Sequence, residues 1–245
     1  MSLKRLFSLA LASCFVAVGA GEVLADATIT GSIKLELPNG KKPRRKKIRM
    51  AADPVCNAKH DTPALSESAV VDDDGSLHNV FVYVKTGLAG KKFEVPDEAA
   101  ILDQRGCLYK PHVLGVMAGQ NITVLNSDGT LHNVHPKPQN SNEFNKAMPK
   151  FMKKIKISFA KPEVMIPVKC DVHPWMQSYI GVLDHPFHSV TGEGGTFELK
   201  GLPAGTYTIE AWHESKRIGT MTQDVTVADG ESKSVDFTFK VKAKN

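Results

Sequence analysis

Cys170-Asp171-Val172-His173-Pro174-Trp175-Met176 puts a thiol, an imidazole and a thioether into one short stretch. About forty residues upstream, Leu131-His132-Asn133-Val134-His135 offers two more imidazoles. Two His, one Cys and a weak axial Met are the ligand set of a blue-copper electron-transfer site. Thiolate and thioether favour Cu(I), and imidazole accommodates both oxidation states. Two other readings use the same residues. Cys170 could be an ordinary buried thiol with the histidines at the surface, or the site could hold zinc, which has no use for a thioether.

The flanks of these stretches read as strands. Tyr109 to Asn126 reads as two strands joined by a Gly-containing turn. Residues 136–162 are polar and rich in Lys and Asn, which predicts a long loop with one short helix. Met148 and Met152 lie there as filler rather than ligands.

On these residues the chain resembles the cupredoxins, with a copper loop of the amicyanin kind. That family carries Pro-His-Asn-Val-His and Cys-x-x-His-Pro-Phe-Met. Here Leu131 replaces the first Pro and Trp175 the Phe. The resemblance spans residues 100–185. It implies a Greek-key β-sandwich with one type 1 copper held by His132, Cys170, His173 and Met176. It implies that Asn133 ties the two ligand loops together and hydrogen-bonds toward the thiolate. It further implies that the His173 ring edge lies near the surface as the electron port, with Pro174 and Trp175 in the docking patch. The partner would be a c-type cytochrome or a periplasmic dehydrogenase. His132 and His135 could exchange roles as the first imidazole ligand.

Four cysteines are present. Cys14 lies in an N-terminal stretch with Lys4, Arg5, an apolar run and a small-residue cleavage signal, the pattern of an export leader over residues 1–25. A lipid anchor at Cys14 is disfavoured because the apolar run continues past it. Export leads to the periplasm, an oxidising compartment. If copper holds Cys170, Cys56 and Cys107 are left to form a disulfide. Both could instead be free, or Cys56 could join His60 in a second metal site. No other stretch is long and apolar enough to span a membrane.

After Pro186 the composition shifts. Val190 to Trp212 carries Thr-Gly-Glu-Gly-Gly-Thr-Phe and Gly-Leu-Pro-Ala-Gly-Thr-Tyr. This resembles the carboxypeptidase-regulatory, transthyretin-like β-sandwich. That fold needs a first strand such as Thr28–Leu37 and an alternating strand such as Val80–Val84. The expected class is therefore all-β. Residues 28–98 pair with 188–240 (to the end at 245) in one sandwich, with the cupredoxin of residues 99–187 inserted. One enlarged cupredoxin followed by a partial sandwich is the alternative.

The formal charge is +5, and Lys41 to Arg49 holds seven cations in nine residues. This is a solvated loop or a docking patch for an acidic partner. Nucleic acid does not suit an exported chain. No nucleophile–base pair or carboxylate pair stands at a recognisable spacing, so the expectation is a redox protein and not an enzyme. A copper carrier or sensor, or a scaffold or polysaccharide-binding module, stands as the alternative. His185, His188 and His213 pack around the domain junction or form another site.

Overall fold

The computed structural model describes residues 26–37 and 40–241. The leader, its cleavage signal and Cys14 lie outside the described residues. In chain order the elements are β1 (Ala27–Glu36), the one-turn helix α1 (Pro54–Asn57) and β2 (Phe81–Thr86). A second group follows: β3 (Ala100–Gln104), β4 (Tyr109–Lys110), β5 (Val113–Met117), β6 (Ile122–Asn126), β7 (His132–Pro136), β8 (Lys146–Met148), β9 (Lys154–Ile157), β10 (Glu163–Lys169) and β11 (Gln177–Leu183). The last group is β12 (His188–Val190), β13 (Thr196–Leu202), β14 (Gly205–Trp212), β15 (Thr220–Val227), β16 (Ser232–Ser234) and β17 (Phe237–Lys240). The class is all-β, as the alternating runs predict.

The first and last groups together build one sandwich, called outer here. In one sheet β1 pairs antiparallel with β13 and parallel with β16 and then β17. In the other the order is β12-β2-β14-β15, all antiparallel. The side-chain period of two sends Ile29, Ile33 and Leu35 of β1 inward against Val82, Val84, Tyr207, Ile209 and Val225. Burying each such side chain contributes roughly 1.5–3 kcal/mol.

The middle group builds the inner sandwich. Its sheets are β4-β3-β6-β9 and β5-β11-β10-β7-β8, with parallel pairs at β3/β6 and β5/β11. Leu102, Ile122, Val124, Val134, Ile166, Val168 and Ile180 fill it. The region predicted as loop and helix holds β8 and β9 instead. Lys154-Ile155-Lys156-Ile157 alternates and pairs with β6, so its lysines face water while Ile157 is buried.

Residues 46–66 belong to neither β-sheet core by strand pairing. They form a strap in which Ile48 and Ser66 donate backbone bonds to Ala64 and Lys46, 2.8 Å each. Met50 and Cys56 of this strap are buried in the inner core. The sequence reading grouped the strap with the outer sandwich, but its apolar side chains pack on the inner one.

The two sandwiches meet at β2. Its Phe81-Val82-Tyr83-Val84 run is buried on both faces: Val82 and Val84 face the outer core, Phe81 and Tyr83 face Val113, Met165 and Leu183. Gly115 and Gly181, paired in register on β5 and β11, admit this contact. A Cβ at Gly115 would lie 2.3 Å from the His188 ring, and one at Gly181 would lie 2.5 Å from Phe81.

Candidate metal centre

His132 opens β7, Cys170 follows β10, and His173 and Met176 lie in the turn into β11. The turn is closed by Cys170 N–H to the Met176 carbonyl (3.3 Å) and Met176 N–H to the His173 carbonyl (2.9 Å). His132, Cys170, His173 and Met176 are all 2 % exposed or less. His132 Nδ1 and His173 Nδ1 are 2.9 Å apart, and Cys170 Sγ is 3.8 Å from His173 Nδ1. Ligand atoms of His132, Cys170 and His173 lie within 4.8 Å of one another.

Asn133 links the two loops. Its Oδ1 accepts from the amides of Asp171 (2.7 Å) and Val172 (3.4 Å) and lies 3.3 Å from Cys170 Sγ. Tyr109, which the sequence reading placed only at the start of a β-rich run, adds a second link. Its buried hydroxyl donates to the carbonyls of Asn133 (2.5 Å) and Lys169 (3.1 Å), the neighbours of His132 and Cys170.

The outer nitrogen of each histidine meets a carboxylate that the sequence reading did not single out. Asp53 Oδ2 is 2.9 Å from His173 Nε2, and Asp128 Oδ2 is 3.0 Å from His132 Nε2. A carboxylate at Nε2 accepts from the Nε2–H tautomer, the form in which Nδ1 keeps its lone pair for a metal. In that tautomer two nitrogen lone pairs face each other beside a sulfur, among buried side chains. Acceptors facing acceptors are unfavourable without a cation between them. The donor set, two neutral imidazoles and a thiol, fits a soft transition metal such as copper.

Cys170, His132 and Asp128 are electrostatically coupled. Burial pushes the Cys170 thiol up, but hydrogen bonding from His132 and from the amides of Asn133, His173 and Val172 outweighs it, and the net shift is downward. Burial pushes His132 down, yet Asp128 and the Cys170 thiolate carry it above its usual value. Burial pushes Asp128 up, while His132 and the amides of Cys107 and Gly106 bring it below.

Cys56 and Cys107 form a disulfide, the pairing expected from the sequence. It lies beside the histidines, with Cys56 Sγ 3.5 Å from His173 Nε2. His173 is not a surface port: it is 2 % exposed, because the strap lays Asp53 and Cys56 over its outer edge. Pro174 is exposed; Trp175 is half-buried and donates its indole N–H to the Cys107 carbonyl (3.1 Å).

The other candidates are placed elsewhere. His135 points to the rim, with Asp171 at 2.8 Å and Glu143 at 2.7 Å. Met148 is buried, and its sulfur accepts from Gln104 Nε2. His60 meets the Gly106 carbonyl (2.7 Å) and no metal donor set. His185 bonds the Val84 carbonyl, whereas His213 sits near the His112–Glu214 pair (2.6 Å). Among the described residues no helix is long and apolar enough to cross a membrane.

No family model matches the chain, and no curated protein sequence matches it. Solved structures do. A Cu-containing nitrite reductase from Thermus scotoductus SA-01 is 21% identical over 40% of this chain, at a TM-score of 0.33. The match spans only 25% of that enzyme. An oxidised amicyanin mutant is 22% identical over 41% of this chain and 97% of its own, at 0.32. A purple cupredoxin from Nitrosopumilus maritimus is 20% identical over 34% of this chain and 98% of its own, at 0.29.

Proposed function

We propose that this chain is an exported, periplasmic type 1 copper protein that passes single electrons. The observation that carries the reading is the pair of Nδ1 atoms 2.9 Å apart beside the buried Cys170 sulfur, each ring with a carboxylate on its Nε2. Bound copper would supply one-electron exchange between Cu(I) and Cu(II). Cys170 would hold it as thiolate, His132 and His173 through Nδ1, and Met176 as a weak further donor. Asn133 and Tyr109 hold the two ligand loops in place against rearrangement. The apolar inner core behind the site excludes water.

In this reading the outer sandwich is a carboxypeptidase-regulatory-like domain into which the copper domain is inserted. The redox partner is acidic and docks on the strap. Arg44, Lys46, Lys47 and Arg49 line a groove of about 1140 Å³ there, with no ion-pair partner among the described residues. Arg45 is fixed by the carbonyls of Leu65 and Ser66. The groove shares the strap with Asp53, which covers His173.

The test is one equivalent of Cu(II) added to the purified protein, with Cys170→Ala alongside. An intense blue band with narrow copper hyperfine splitting, absent from the variant, is expected. An ordinary tetragonal Cu(II) spectrum in both would refute the proposal. The burial of His173 favours a second reading, a copper carrier without an exposed port. A carrier would surrender metal to chelators, whereas an electron shuttle keeps it through repeated oxidation and reduction.

A further inference from the structure

The Cys56–Cys107 disulfide has the same relation to both histidines. On one side Cys56 N–H donates to Asp53 Oδ1 (2.9 Å), and Asp53 Oδ2 meets His173. On the other, Cys107 N–H donates to Asp128 Oδ2 (2.7 Å), and the same carboxylate meets His132. Gly106 N–H (2.7 Å) and Lys59 (3.4 Å) complete the partners of Asp128, and Lys59 again comes from the strap. A chain of groups thus runs His173, Asp53, Cys56, Cys107, Asp128, His132, and closes where the two Nδ1 atoms face each other.

We propose that Asp53 and Asp128 are paired positioning residues for the two imidazoles, and that the disulfide sets the distance between them. This rests on the copper reading above, and extends it to what tunes the site. A carboxylate on the outer nitrogen fixes the tautomer and ring plane and raises the basicity of the nitrogen that faces the metal. Two such anions favour the more highly charged Cu(II) over Cu(I). One anchor comes from the strap, 120 residues from His173, and the other from the loop that leads into His132. Without the disulfide nothing covalent would keep Asp53 in register with Asp128.

The experiment compares wild type with Asp53→Asn, Asp53→Ala, Asp128→Asn and Asp128→Ala. Asp72→Asn serves as control, since Asp72 also pairs with a histidine, His78 at 2.8 Å, but away from the site. Before any metal is added, ¹⁵N spectra report the ring tautomers. Wild type is expected to show the Nε2–H form for His132 and His173, and Asp→Ala is expected to lose it at the ring it faces. A wild-type Nδ1–H form at either ring would overturn the proposal with no reference to copper.

Cu(II) and Cu(I) affinities then follow from chelator competition. Each Asp→Ala is expected to weaken Cu(II) binding about 10–100-fold. Asp→Asn should regain part of that loss and raise the reduction potential, by about 59 mV for each tenfold by which Cu(II) loses more than Cu(I). Asp72→Asn should match wild type. Unchanged affinities and potential in all four variants would overturn the proposal. Copper binding absent from wild type, with both Nε2–H tautomers present, would instead sink the copper reading and leave the positioning intact.

Discussion

In the outer sandwich the space between the sheets is filled by aliphatic and aromatic side chains from β1, β2, β13, β14, β15 and β17. In the inner sandwich a similar core gives way at one end to Asp128, His132, His173, Asn133 and Cys170, all buried. The first arrangement needs only the removal of apolar surface from water. The second keeps polar groups away from water and must satisfy each of them. The inner sandwich accordingly carries the disulfide and a strap over its polar end, while the outer one has neither among the described residues. A polar site inside a β-sandwich calls for cross-links that an apolar core does without.

Each sandwich holds one tryptophan, Trp175 and Trp212, so single-tryptophan variants report on them separately. The largest effect is expected from Phe81→Ala, which empties the joint between them. Urea unfolding should show a loss of about 3–5 kcal/mol and two transitions where wild type shows one. A loss below about 1 kcal/mol would mean that the joint does not depend on this ring.

Replacing Cys56 and Cys107 with alanine opens a closure of 51 residues. Loop entropy puts the cost at about 4 kcal/mol. It should appear in the Trp175 transition and leave Trp212 in place. Equal shifts in both would erase the contrast between the sandwiches.

Acid should act on the outer side of the joint. His213 is 2 % exposed, and burial pushes its pKa down to about 4, with Glu214 raising and His112 lowering it further. The unfolded chain takes up that proton near pH 6.5, whereas the folded one waits until about 4. Stability therefore falls as pH drops through that window and is unaffected above it. The full effect is at most roughly 3 kcal/mol. His213→Gln should lessen the pH slope of the Trp212 midpoint between pH 6.5 and 4. The remainder is left to His188, which burial also pushes down to about 4. An unaltered slope would count against this account.

The smallest effect belongs to Gly115→Ala. The added methyl meets the His188 ring, so overpacking of about 1–3 kcal/mol is expected. Gly119→Ala changes a glycine of the same sandwich that has open space around it, and controls for loss of glycine itself. It keeps a positive φ, so its own cost is strain and not crowding.

Most of the strands were legible because their alternation is local, and the loop from Cys170 to Met176 because ligand types crowd into one turn. The Cys56–Cys107 pairing followed once Cys170 was set aside. The two carboxylates were not legible. Asp128 lies in Asn126-Ser127-Asp128-Gly129, where a turn needs no further reason for an aspartate, and Asp53 precedes Pro54 as an ordinary helix cap. Their roles come from contacts 120 residues apart in one case and from the reach of a loop in the other. The burial of His173 was missed for the same reason, since the strap carries no strand signal. The pairing of His112 with Glu214 spans 102 residues and leaves no local mark.

The parallel pairing of β1 with β17 has a mechanical meaning. Ile33 to Glu36 run alongside Phe237 to Lys240 in the same direction. Tension applied to the chain before Ala27 and after Lys240 therefore pulls these strands lengthwise in opposite senses. Their hydrogen bonds share the load together instead of opening one at a time. The inner sandwich lies between them in sequence and feels no force until this clamp slips. Pulled from its two flanks, the molecule should yield first at β1 and β17, with the Cys170 site still folded behind them.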